Sequence, residues 1–369
     1  MRRKKVGYII SDIEKSLSFE WTANQLAKKY DLFFLLIGKN NTELSRYLHN
    51  LKINYFIISD SDYSFFFKKW LKIFSILRKE KPDVIHVHLW RAMFLGLTAS
   101  WILRVKKRIV TRHYSTIHYD LHKSGLKWDK LFNWIATDII AISENVRTIL
   151  IKWDRAKESK VHVIRHGFDL SYFNGSHQSG VNLYTKYGIN IESYPCIGVI
   201  SRYLELKGIH YIIPAFKTLR NSYPNAHLIL ANTVGDYTQQ IKELIKDLPK
   251  DSYTEIEFEN DLVSLYKLFD VFVHTPVDEN CEAFGQTYIE ALAVGIPSIF
   301  TLSGVAPEFI KNEYNALVVR YRNSMDIANA IERILHDELL KKTIIKNGRY
   351  SIQKFSLNTM INKLESLYD

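Results

Sequence analysis

The chain has 369 residues, of which 47% are hydrophobic, so its length predicts two domains and its composition allows a large buried core. Its only two cysteines, Cys196 and Cys281, are far apart in sequence, which excludes a disulfide framework and a cysteine-rich zinc site and fits a cytoplasmic protein. The net charge is +11, but residues 1–170 alone hold 31 Lys and Arg against 16 Asp and Glu, an excess suited to an anionic membrane, a nucleic acid or a phosphorylated substrate.

The first predicted element follows a basic N-terminal run, residues 2–5. The apolar run over residues 6–10 is too short for a secretory signal peptide and has no small-residue cleavage site, so we interpret it as a β-strand. No later stretch reaches the roughly eighteen uninterrupted apolar residues that a membrane-spanning helix needs. We therefore expect no such helix.

Short apolar runs alternate with helix-period stretches through the first half of the chain. This alternation predicts buried parallel strands joined by right-handed βαβ units. The predicted strands are residues 6–10, 32–37, 55–58, 84–87, 109–111, 139–142 and 161–164. The predicted helices are residues 21–30, 65–79, 92–104 and 144–153.

The periodicity breaks near residue 170, and we predict an interdomain linker over residues 171–195. Alternation then restarts, which predicts a second domain of the same kind and hence an α/β fold with two tandem Rossmann-like, doubly wound domains facing a cleft. Its predicted strands are residues 197–200, 228–231, 256–258, 271–274, 298–301 and 317–319. Its predicted helices are residues 207–220, 239–248, 262–269, 286–294 and 327–336.

Two carboxylates of the second half, Glu282 and Glu290, belong to one strand–loop–helix segment. Gly285 precedes the predicted helix, Gly295 ends it, and Pro297 prevents its continuation. One acid ahead of a helix and one inside it do not easily chelate a single metal ion, but they can contact two parts of one long ligand. A nucleotide-sugar along the helix N-terminus would place its sugar at Glu282 and its ribose at Glu290. Either glutamate on its own would be interpreted as an ordinary solvent-exposed acid.

The segment around these acids resembles the E-x7-E signature of retaining glycosyltransferases, in particular glycosyltransferase family 4. The resemblance implies the GT-B architecture, with an acceptor domain over residues 1–170, a donor domain over residues 196–350 and a C-terminal helix over residues 351–369 that crosses back to the first domain. Further segments that resemble this family are residues 82–88, 111–113, 141–147, 163–169, 197–202 and 207–208.

Two cations, Arg202 and Lys207, flank a predicted strand end and helix start in the donor domain. In isolation they would be ordinary surface cations of a basic protein. The resemblance implies that they hold the donor diphosphate and stabilise the departing phosphate, so that no metal ion or cofactor is needed. On the same resemblance, Glu282 would orient the donor sugar, and Phe284 and Gly285 would contact the donor.

Two loops depart from the family pattern. Gly304 is followed by Val305 where the family has a second glycine, so the backbone amides that would contact the donor remain, but a positive φ angle at Val305 would be strained. The loop after the first strand lacks the family's paired glycines, which leaves Ser16 and Ser18 as candidates for donor contacts.

Histidines cluster at predicted strand ends in the first half. His86 and His88 share one face of a strand, and with His113 they allow either a metal cluster or the polar lining of a cleft. We favour the lining and assign no metal. The resemblance implies that His113 contacts the donor sugar as a catalytic residue, and we expect Arg112 and His88 to bind the acceptor.

The basic, aromatic-rich residues 64–80 and the basic residues 101–108 allow two interpretations. One is an interfacial helix on an anionic membrane, which suits a peripheral protein on the cytoplasmic face; the other is a core-facing helix with a solvated basic side. Nucleic acid is disfavoured because no recognised nucleic-acid-binding motif is present.

The predicted function is retaining, metal-independent transfer of a hexose or N-acetylhexosamine. We expect a UDP-sugar first and a GDP-sugar second as donor, and a saccharide or lipid-linked acceptor of a bacterial-type surface glycan. The alternatives left open are a same-fold epimerase and a non-catalytic module that binds a sugar-nucleotide or a membrane.

Overall fold

The computed structural model describes residues 2–61, 65–120, 123–175 and 183–369, and in it the chain divides into two compact units. Unit 1 comprises the described residues up to Asp169 together with Phe355–Asp369, and unit 2 comprises the described residues of Leu170–Lys354. Each unit is built on one parallel sheet, so the predicted α/β fold with two doubly wound units is confirmed.

The sheet of unit 1 has seven parallel strands in the order β3-β2-β1-β4-β5-β6-β7. The strand order reverses between β1 and β4, and such a switch point leaves room for a ligand at the carboxyl ends of the strands. The strands are β1 Lys5–Ser11, β2 Asp31–Gly38, β3 Asn54–Ser59, β4 Val84–His88, β5 Lys107–Arg112, β6 Asp138–Ala141 and β7 Val161–Val163.

The helices of unit 1 cover both faces of this sheet's apolar strands. α1 begins four residues earlier than predicted, because Ser16 caps its N-terminus. A π-helical turn, Met93–Leu97, joins α4 to α5, and a second, Ile149–Trp153, follows α8. The helices are α1 Leu17–Leu26, α2 Glu43–Asn50, α3 Phe66–Glu80, α4 Trp90–Ala92, α5 Thr98–Ile102, α6 Ile117–Asp120, α7 Gly125–Ile135 and α8 Glu144–Thr148.

The sheet of unit 2 has six parallel strands in the order β10-β9-β8-β11-β12-β13, again with a switch point beside its first strand. The strands are β8 Cys196–Ile200, β9 His227–Ala231, β10 Tyr253–Ile256, β11 Val271–His274, β12 Ser298–Phe300 and β13 Leu317–Val318. The helices are α9 Leu170–Asn174, α10 Leu183–Tyr187, α11 Ile209–Leu219, α12 Thr238–Ile245, α13 Leu262–Tyr266, α14 Gln286–Val294, α15 Ser324–His336 and α16 Glu338–Ser351.

Several predicted boundaries differ from the structure, among them those of a strand and of the linker. The strand predicted over residues 256–258 is β10 and ends at Ile256, because Phe258 is 64% exposed and lies in a loop. The linker predicted over residues 171–195 contains most of α9 and all of α10, which belong to unit 2, while residues 176–182 of it lie outside the described residues.

The last helix, α17 Leu357–Tyr368, belongs to unit 1. Met360 and Leu364 on this helix pack into the hydrophobic core formed by the β1 and β2 side of the sheet. A Cβ on Gly167 would lie 2.9 Å from the Cα of Leu357, so glycine lets the chain before unit 2 approach the start of α17. The C-terminal helix thus returns to the first unit as predicted. None of the described helices is long and apolar enough to span a membrane.

Candidate active site

In unit 2, the E-x7-E segment forms a loop and a helix at the carboxyl edge of the sheet. β11 ends at His274, and α14 has the predicted bounds. Gly285 before α14 and Gly295 after it adopt φ angles of 87° and 89°. A Cβ on Gly285 would lie 2.4 Å from the ring of Tyr288, so both the backbone angle and the available space require glycine. These glycines fix where α14 begins and ends.

Glu282 is a buried carboxylate with two nearby partners. Its Oε1 atom accepts a hydrogen bond from Nζ of Lys207 at 2.5 Å and lies 3.1 Å from Nε2 of His274. Burial would raise the pKa of Glu282, but the ammonium of Lys207 and the contact with His274 outweigh burial and lower the pKa to about 2. Burial also lowers the pKa of His274, so this ring is neutral near neutral pH and donates from Nε2. Glu282 is therefore a fixed, ionised hydrogen-bond acceptor.

The backbone around this pair is held by close contacts. Gly208, which follows Lys207, has a φ angle of 73°, and a Cβ there would lie 2.1 Å from the carbonyl oxygen of Thr275. The backbone N–H of Glu282 donates to Oγ of Ser303 at 3.0 Å. Lys207 and Glu282 are 75 residues apart in sequence, so these contacts between separate loops bring the two charges together.

The loop after β12 packs directly on Glu282. A Cβ on Gly304 would lie 2.6 Å from Cβ of Glu282, so this position requires glycine. Val305 has a φ angle of −83°, and the strain that we predicted for it is absent. The N–H of Gly304 donates to the carbonyl of Glu279 at 3.2 Å and that of Val305 to Phe284 at 3.0 Å. In this structure the two amides therefore hold the loop, and the donor contacts predicted for them would compete with these hydrogen bonds.

Arg202 differs from Lys207 in its surroundings. It lies just after β8, its side chain is exposed, and it forms no ion pair with any described residue. β8 and β11 are neighbours in the sheet, so Arg202 follows the strand next to the one that leads to Glu282. An exposed guanidinium in this place is available to an anion.

Glu290, on α14, has the opposite electrostatic character from Glu282. Tyr266 donates from its hydroxyl to Oε2 of Glu290 at 3.0 Å. Burial raises the pKa of Glu290 to about 7, and the hydrogen bond from Tyr266 offsets only part of this effect. Phe284, in the loop before α14, is buried and contributes an apolar wall. Glu290 is therefore poised between its two protonation states near neutral pH.

Three buried hydroxyls in this region have no hydrogen-bond partner among the described residues. They belong to Ser201 after β8, Thr275 after β11 and Thr287 in the first turn of α14. Buried polar atoms are nearly always paired, so these three hydroxyls at the carboxyl edge of a parallel sheet are candidates for hydrogen bonds to a ligand. We had not predicted them, although Ser201 directly precedes Arg202 and Thr287 lies between the two glutamates.

In unit 1, histidines of β4 and β5 meet at the corresponding edge. Nε2 of His86 lies 2.7 Å from Oγ1 of Thr111, and Nδ1 of His88 lies 3.0 Å from Nε2 of His113. Burial lowers the pKa of His86 to about 3 and of His166 to about 4, and it places the pKa values of His88 and His113 well below the ordinary range. All four rings are therefore neutral near neutral pH. Among the described residues, no group of three His, Cys, Asp or Glu side chains is arranged to hold a metal ion.

Two residues that we expected to bind the acceptor are buried. Arg112 is 1% exposed, and its Nη2 atom donates to Asp129 at 3.0 Å and to Asp154 at 2.9 Å. Its guanidinium also lies over the ring of Tyr114 at 3.8 Å. His88 is 5% exposed and contacts His113 instead of the surface. Arg112 is thus a structural cation, and neither side chain is exposed to an acceptor in this structure.

Ser16, at the end of the loop after β1, and Ser18, in the first turn of α1, have local structural contacts. Oγ of Ser16 accepts a hydrogen bond from the N–H of Phe19 at 3.4 Å and so caps α1. The carbonyl oxygen of Ser18 accepts from the hydroxyl of Thr22 at 2.7 Å. The role that we predicted for Ser16 in donor binding competes with this cap.

The basic aromatic segment 64–80, whose residue 64 lies outside the described residues, has both buried and exposed apolar side chains. α3 packs inward through Ile73 and Leu77. At its start, by contrast, Phe65 and Phe67 are 65% and 67% exposed. In the second predicted segment, Trp101 is 43% exposed. The helix therefore has a buried face and a separate, exposed aromatic end.

Comparison with known proteins gives two family matches. A family model described as "Glycosyl transferases group 1" matches residues 188–351, and one described as "Glycosyltransferase Family 4" matches residues 22–172. The two matches do not overlap, and together they cover most of the chain.

Individual relatives and a solved structure agree with these matches. The capsular polysaccharide biosynthesis glycosyltransferase CapM of Staphylococcus aureus is 27% identical, over 100% of this chain and 98% of the relative. The UDP-Gal:alpha-D-GlcNAc-diphosphoundecaprenol alpha-1,3-galactosyltransferase of Escherichia coli is 25% identical, over 82% and 79%. The structure of Anabaena HepE in complex with UDP and glucose is 20% identical, covers 98% of both chains and has a TM-score of 0.84, which shows a shared fold.

Proposed function

This chain is a family 4-like glycosyltransferase of the GT-B fold, and we propose that it transfers a hexose or N-acetylhexosamine from a nucleotide-diphosphate sugar with retention of configuration. The observation that carries the proposal is the buried, ionised Glu282 paired with Lys207 at the carboxyl edge of unit 2, where Arg202 is exposed and unpaired among the described residues. A buried ion pair beside an exposed cation suits a ligand that has both hydroxyls and a diphosphate.

UDP is the first nucleotide that we propose, and GDP the second. The Anabaena neighbour was solved with UDP and with UDP-glucose, and the Escherichia coli relative is named for UDP-Gal. Both observations concern those proteins, and they rank the nucleotides to be tested on this one.

In the proposed reaction, an acceptor hydroxyl attacks the anomeric carbon on the face from which the nucleotide diphosphate leaves. The bond between the anomeric carbon and the phosphate oxygen breaks, a glycosidic bond forms, and the proton of the hydroxyl passes to the leaving phosphate. Arg202 and Lys207 would balance the negative charge that develops on that phosphate. The reaction would then need no metal ion.

The two glutamates would divide the binding of the donor. Glu282, ionised and buried, would accept hydrogen bonds from hydroxyls of the transferred sugar. Glu290 would accept from the ribose hydroxyls, which requires it to lose the proton that its raised pKa favours. We propose His113 of unit 1 as a further contact to the sugar.

We propose a saccharide or lipid-linked acceptor in the synthesis of a bacterial-type surface glycan, reached from the cytoplasmic face of the membrane. The Escherichia coli relative is named for a diphosphoundecaprenol acceptor. In this chain, Phe65, Phe67 and Ile102 are exposed, and Trp101 contacts Trp134, which is 63% exposed. Exposed aromatic side chains in a strongly basic half suit an anionic lipid surface.

The enzyme proposal is tested by incubating the protein with a panel of UDP-, GDP- and ADP-sugars and measuring donor hydrolysis and transfer. We expect turnover with a UDP-sugar, turnover that persists with a chelator, and loss in Arg202→Ala but not in Lys217→Ala. Lys217 is an exposed lysine of α11 and provides the matched control. Absence of binding and turnover with every donor would refute the proposal, and dependence on a metal ion would refute its mechanism.

The membrane proposal is tested by sedimentation with vesicles. Vesicles rich in anionic phosphatidylglycerol should bind the protein more than pure phosphatidylcholine vesicles, and Phe65→Ser with Phe67→Ser should weaken that binding. Leu339→Ser, at a 78% exposed position of α16, is the control. Equal binding of the two vesicle types, or no effect of the phenylalanine changes, would refute it.

A further inference from the structure

The hydrogen bond between His88 and His113 uses one nitrogen of each ring. The other nitrogen of each ring has different surroundings in the two residues. Nδ1 of His88 lies 3.0 Å from Nε2 of His113. The second nitrogen of His88, Nε2, is buried and has no partner among the described residues. The second nitrogen of His113, Nδ1, belongs to a ring that is only partly buried and makes no hydrogen bond with a described residue. The remaining nitrogen of His88 is therefore enclosed by the protein, whereas the remaining nitrogen of His113 lies on the partly exposed side of the pair.

Both rings are neutral, so each carries one proton, and only two arrangements satisfy the bond. In the first, His88 donates from Nδ1, its buried Nε2 is a bare acceptor, and His113 carries its proton on the outer Nδ1. In the second, His113 donates from Nε2, and the proton of His88 sits on the buried Nε2. The second arrangement leaves a buried N–H group without an acceptor. Buried N–H groups without an acceptor are rarer in proteins than buried acceptors without a donor, so the first arrangement is favoured.

The position of His88 is fixed by its neighbours. Its ring stacks on Tyr8 with ring centroids 5.2 Å apart, and Phe19 meets it edge-on at 4.9 Å. His86 lies 4.1 Å away, but its nitrogens contact Thr111 and Tyr368 and leave none for His88. His88 can therefore satisfy one nitrogen only, and it does so with His113.

We infer that His88 is a positioning residue that donates to His113 and thereby makes His113 a hydrogen-bond donor from Nδ1 at the carboxyl edge of unit 1. The partner that fits is an oxygen atom with a lone pair, such as a hydroxyl or ring oxygen of the transferred sugar. This role in sugar binding rests on the proposed function, whereas the tautomer itself does not.

The tautomer is tested on the full-length protein without ligand, labelled with ¹⁵N-histidine, by long-range ¹H–¹⁵N correlation NMR. His113→Gln and His88→Asn identify the two signals, and the exposed His49 serves as the reference for an unconstrained ring. We expect both His88 and His113 to carry the proton on Nδ1. A proton on Nε2 of either ring would overturn the inference, whether or not the protein has transferase activity.

The consequence for catalysis is tested with two variants of His88. His88→Asn places a side-chain amide donor close to the original Nδ1, whereas His88→Leu removes the donor. We expect His88→Leu to lower kcat by about tenfold, the scale of one neutral hydrogen bond, and His88→Asn to retain kcat within about threefold. The KM for the acceptor should stay unchanged in both.

The control is His49→Leu on the exposed face of α2, and thermal unfolding checks that each variant is folded. An equal loss of kcat in the asparagine and leucine variants would contradict the donor role of His88. So would wild-type kcat in a folded His88→Leu. If no donor turns over in the wild-type protein, the proposed function fails and the NMR result alone decides the tautomer.

Discussion

The carboxyl edges of the two parallel sheets are built alike, but the side chains at one edge are charged and those at the other are neutral. At the edge of unit 2, Glu282 and Lys207 form a buried ion pair, and Arg202 is exposed beside the end of β8. At the edge of unit 1, His88 and His113 are buried enough to be neutral. The difference shows that burial alone discharges a group, while burial with an opposite charge keeps it ionised. We therefore propose that the cations of unit 2 recognise the diphosphate of the donor and its two glutamates recognise donor hydroxyls, while the neutral histidines of unit 1 contact the sugar.

The largest effect is expected from Lys207→Met, which removes the cation of the buried ion pair with Glu282 in unit 2. Transfer should fall by about 10²–10³-fold, and the free energy of unfolding should fall by about 3–5 kcal/mol because Glu282 is left buried without its cation. The double variant Lys207→Met with Glu282→Gln removes both charges and should regain stability but not activity. Activity is measured by donor turnover and stability by denaturant unfolding. If the double variant regained turnover, the pair would have only a structural role.

The second largest effect is expected from Arg112→Leu, which leaves Asp129 and Asp154 buried without a cation. The free energy of unfolding should fall by about 3–5 kcal/mol, measured by denaturant unfolding. The affinity of the remaining folded protein for UDP should not change. Arg46→Leu, at an exposed arginine of α2, is the control and should have little effect. A stable Arg112→Leu protein with weakened acceptor binding would restore the acceptor role that we first predicted for Arg112.

A smaller effect is expected from Tyr368→Phe on α17, which tests whether this helix supports the neutral histidines of unit 1. The hydroxyl of Tyr368 contacts Nδ1 of His86 at 2.6 Å and also contacts the hydroxyl of Tyr8. Its removal leaves two buried polar groups unpaired, so the free energy of unfolding should fall by about 1–3 kcal/mol. Tyr350→Phe, at a 75% exposed position, is the matched control. Equal stability of the two variants would mean that α17 does not support the histidines of unit 1.

The smallest effect is a pH dependence in unit 2. The pKa of Glu290 rises from 4.5 to about 7 in the folded protein, so the folded state holds an extra proton in that window and the contribution of Glu290 to stability falls as pH rises through it. Glu282 has the opposite sign: with a pKa lowered to about 2, its contribution is lost as pH falls from 4.5 towards 2.

Donor binding makes the pH dependence measurable. A ribose contact that needs the ionised Glu290 predicts UDP affinity that rises from about pH 6 to about pH 8, by less than about tenfold. Titration calorimetry at several pH values measures this dependence, and Glu290→Gln should remove it. A flat profile in the wild-type protein would contradict the proposed contact.

Most strands and about half of the helices were predicted from local sequence pattern, whereas contacts between distant residues were not. Of the thirteen strands in the described residues, all but β10 follow closely from short apolar runs, and α14 follows from the glycines that limit it. The buried ion pairs of Arg112 were not predicted because its partners Asp129 and Asp154 lie 17 and 42 residues further along the chain. The amides of Gly304 and Val305 were assigned to a ligand because their protein acceptors, Glu279 and Phe284, belong to another loop.

The same limit applies to charge state. The sequence shows Glu282 and Glu290 as equivalent acids in one motif, yet their pKa values move in opposite directions. The cause is one lysine from a distant turn, which reaches Glu282 and not Glu290. The ionisation of a buried group depends on the charged groups packed next to it. The spacing of residues within a motif does not show which groups those are.

The central claim, that the charged residues of unit 2 bind the nucleotide diphosphate while His113 of unit 1 adds a contact to the sugar, is tested by titration calorimetry of UDP and a UDP-sugar. The comparison uses the wild-type protein, Lys207→Met and His88→Leu. We predict that Lys207→Met loses affinity for both ligands, while His88→Leu keeps its affinity for UDP and loses part of the additional affinity that the sugar provides. Unchanged UDP affinity in a folded Lys207→Met protein, or weakened UDP affinity in His88→Leu, would contradict the account.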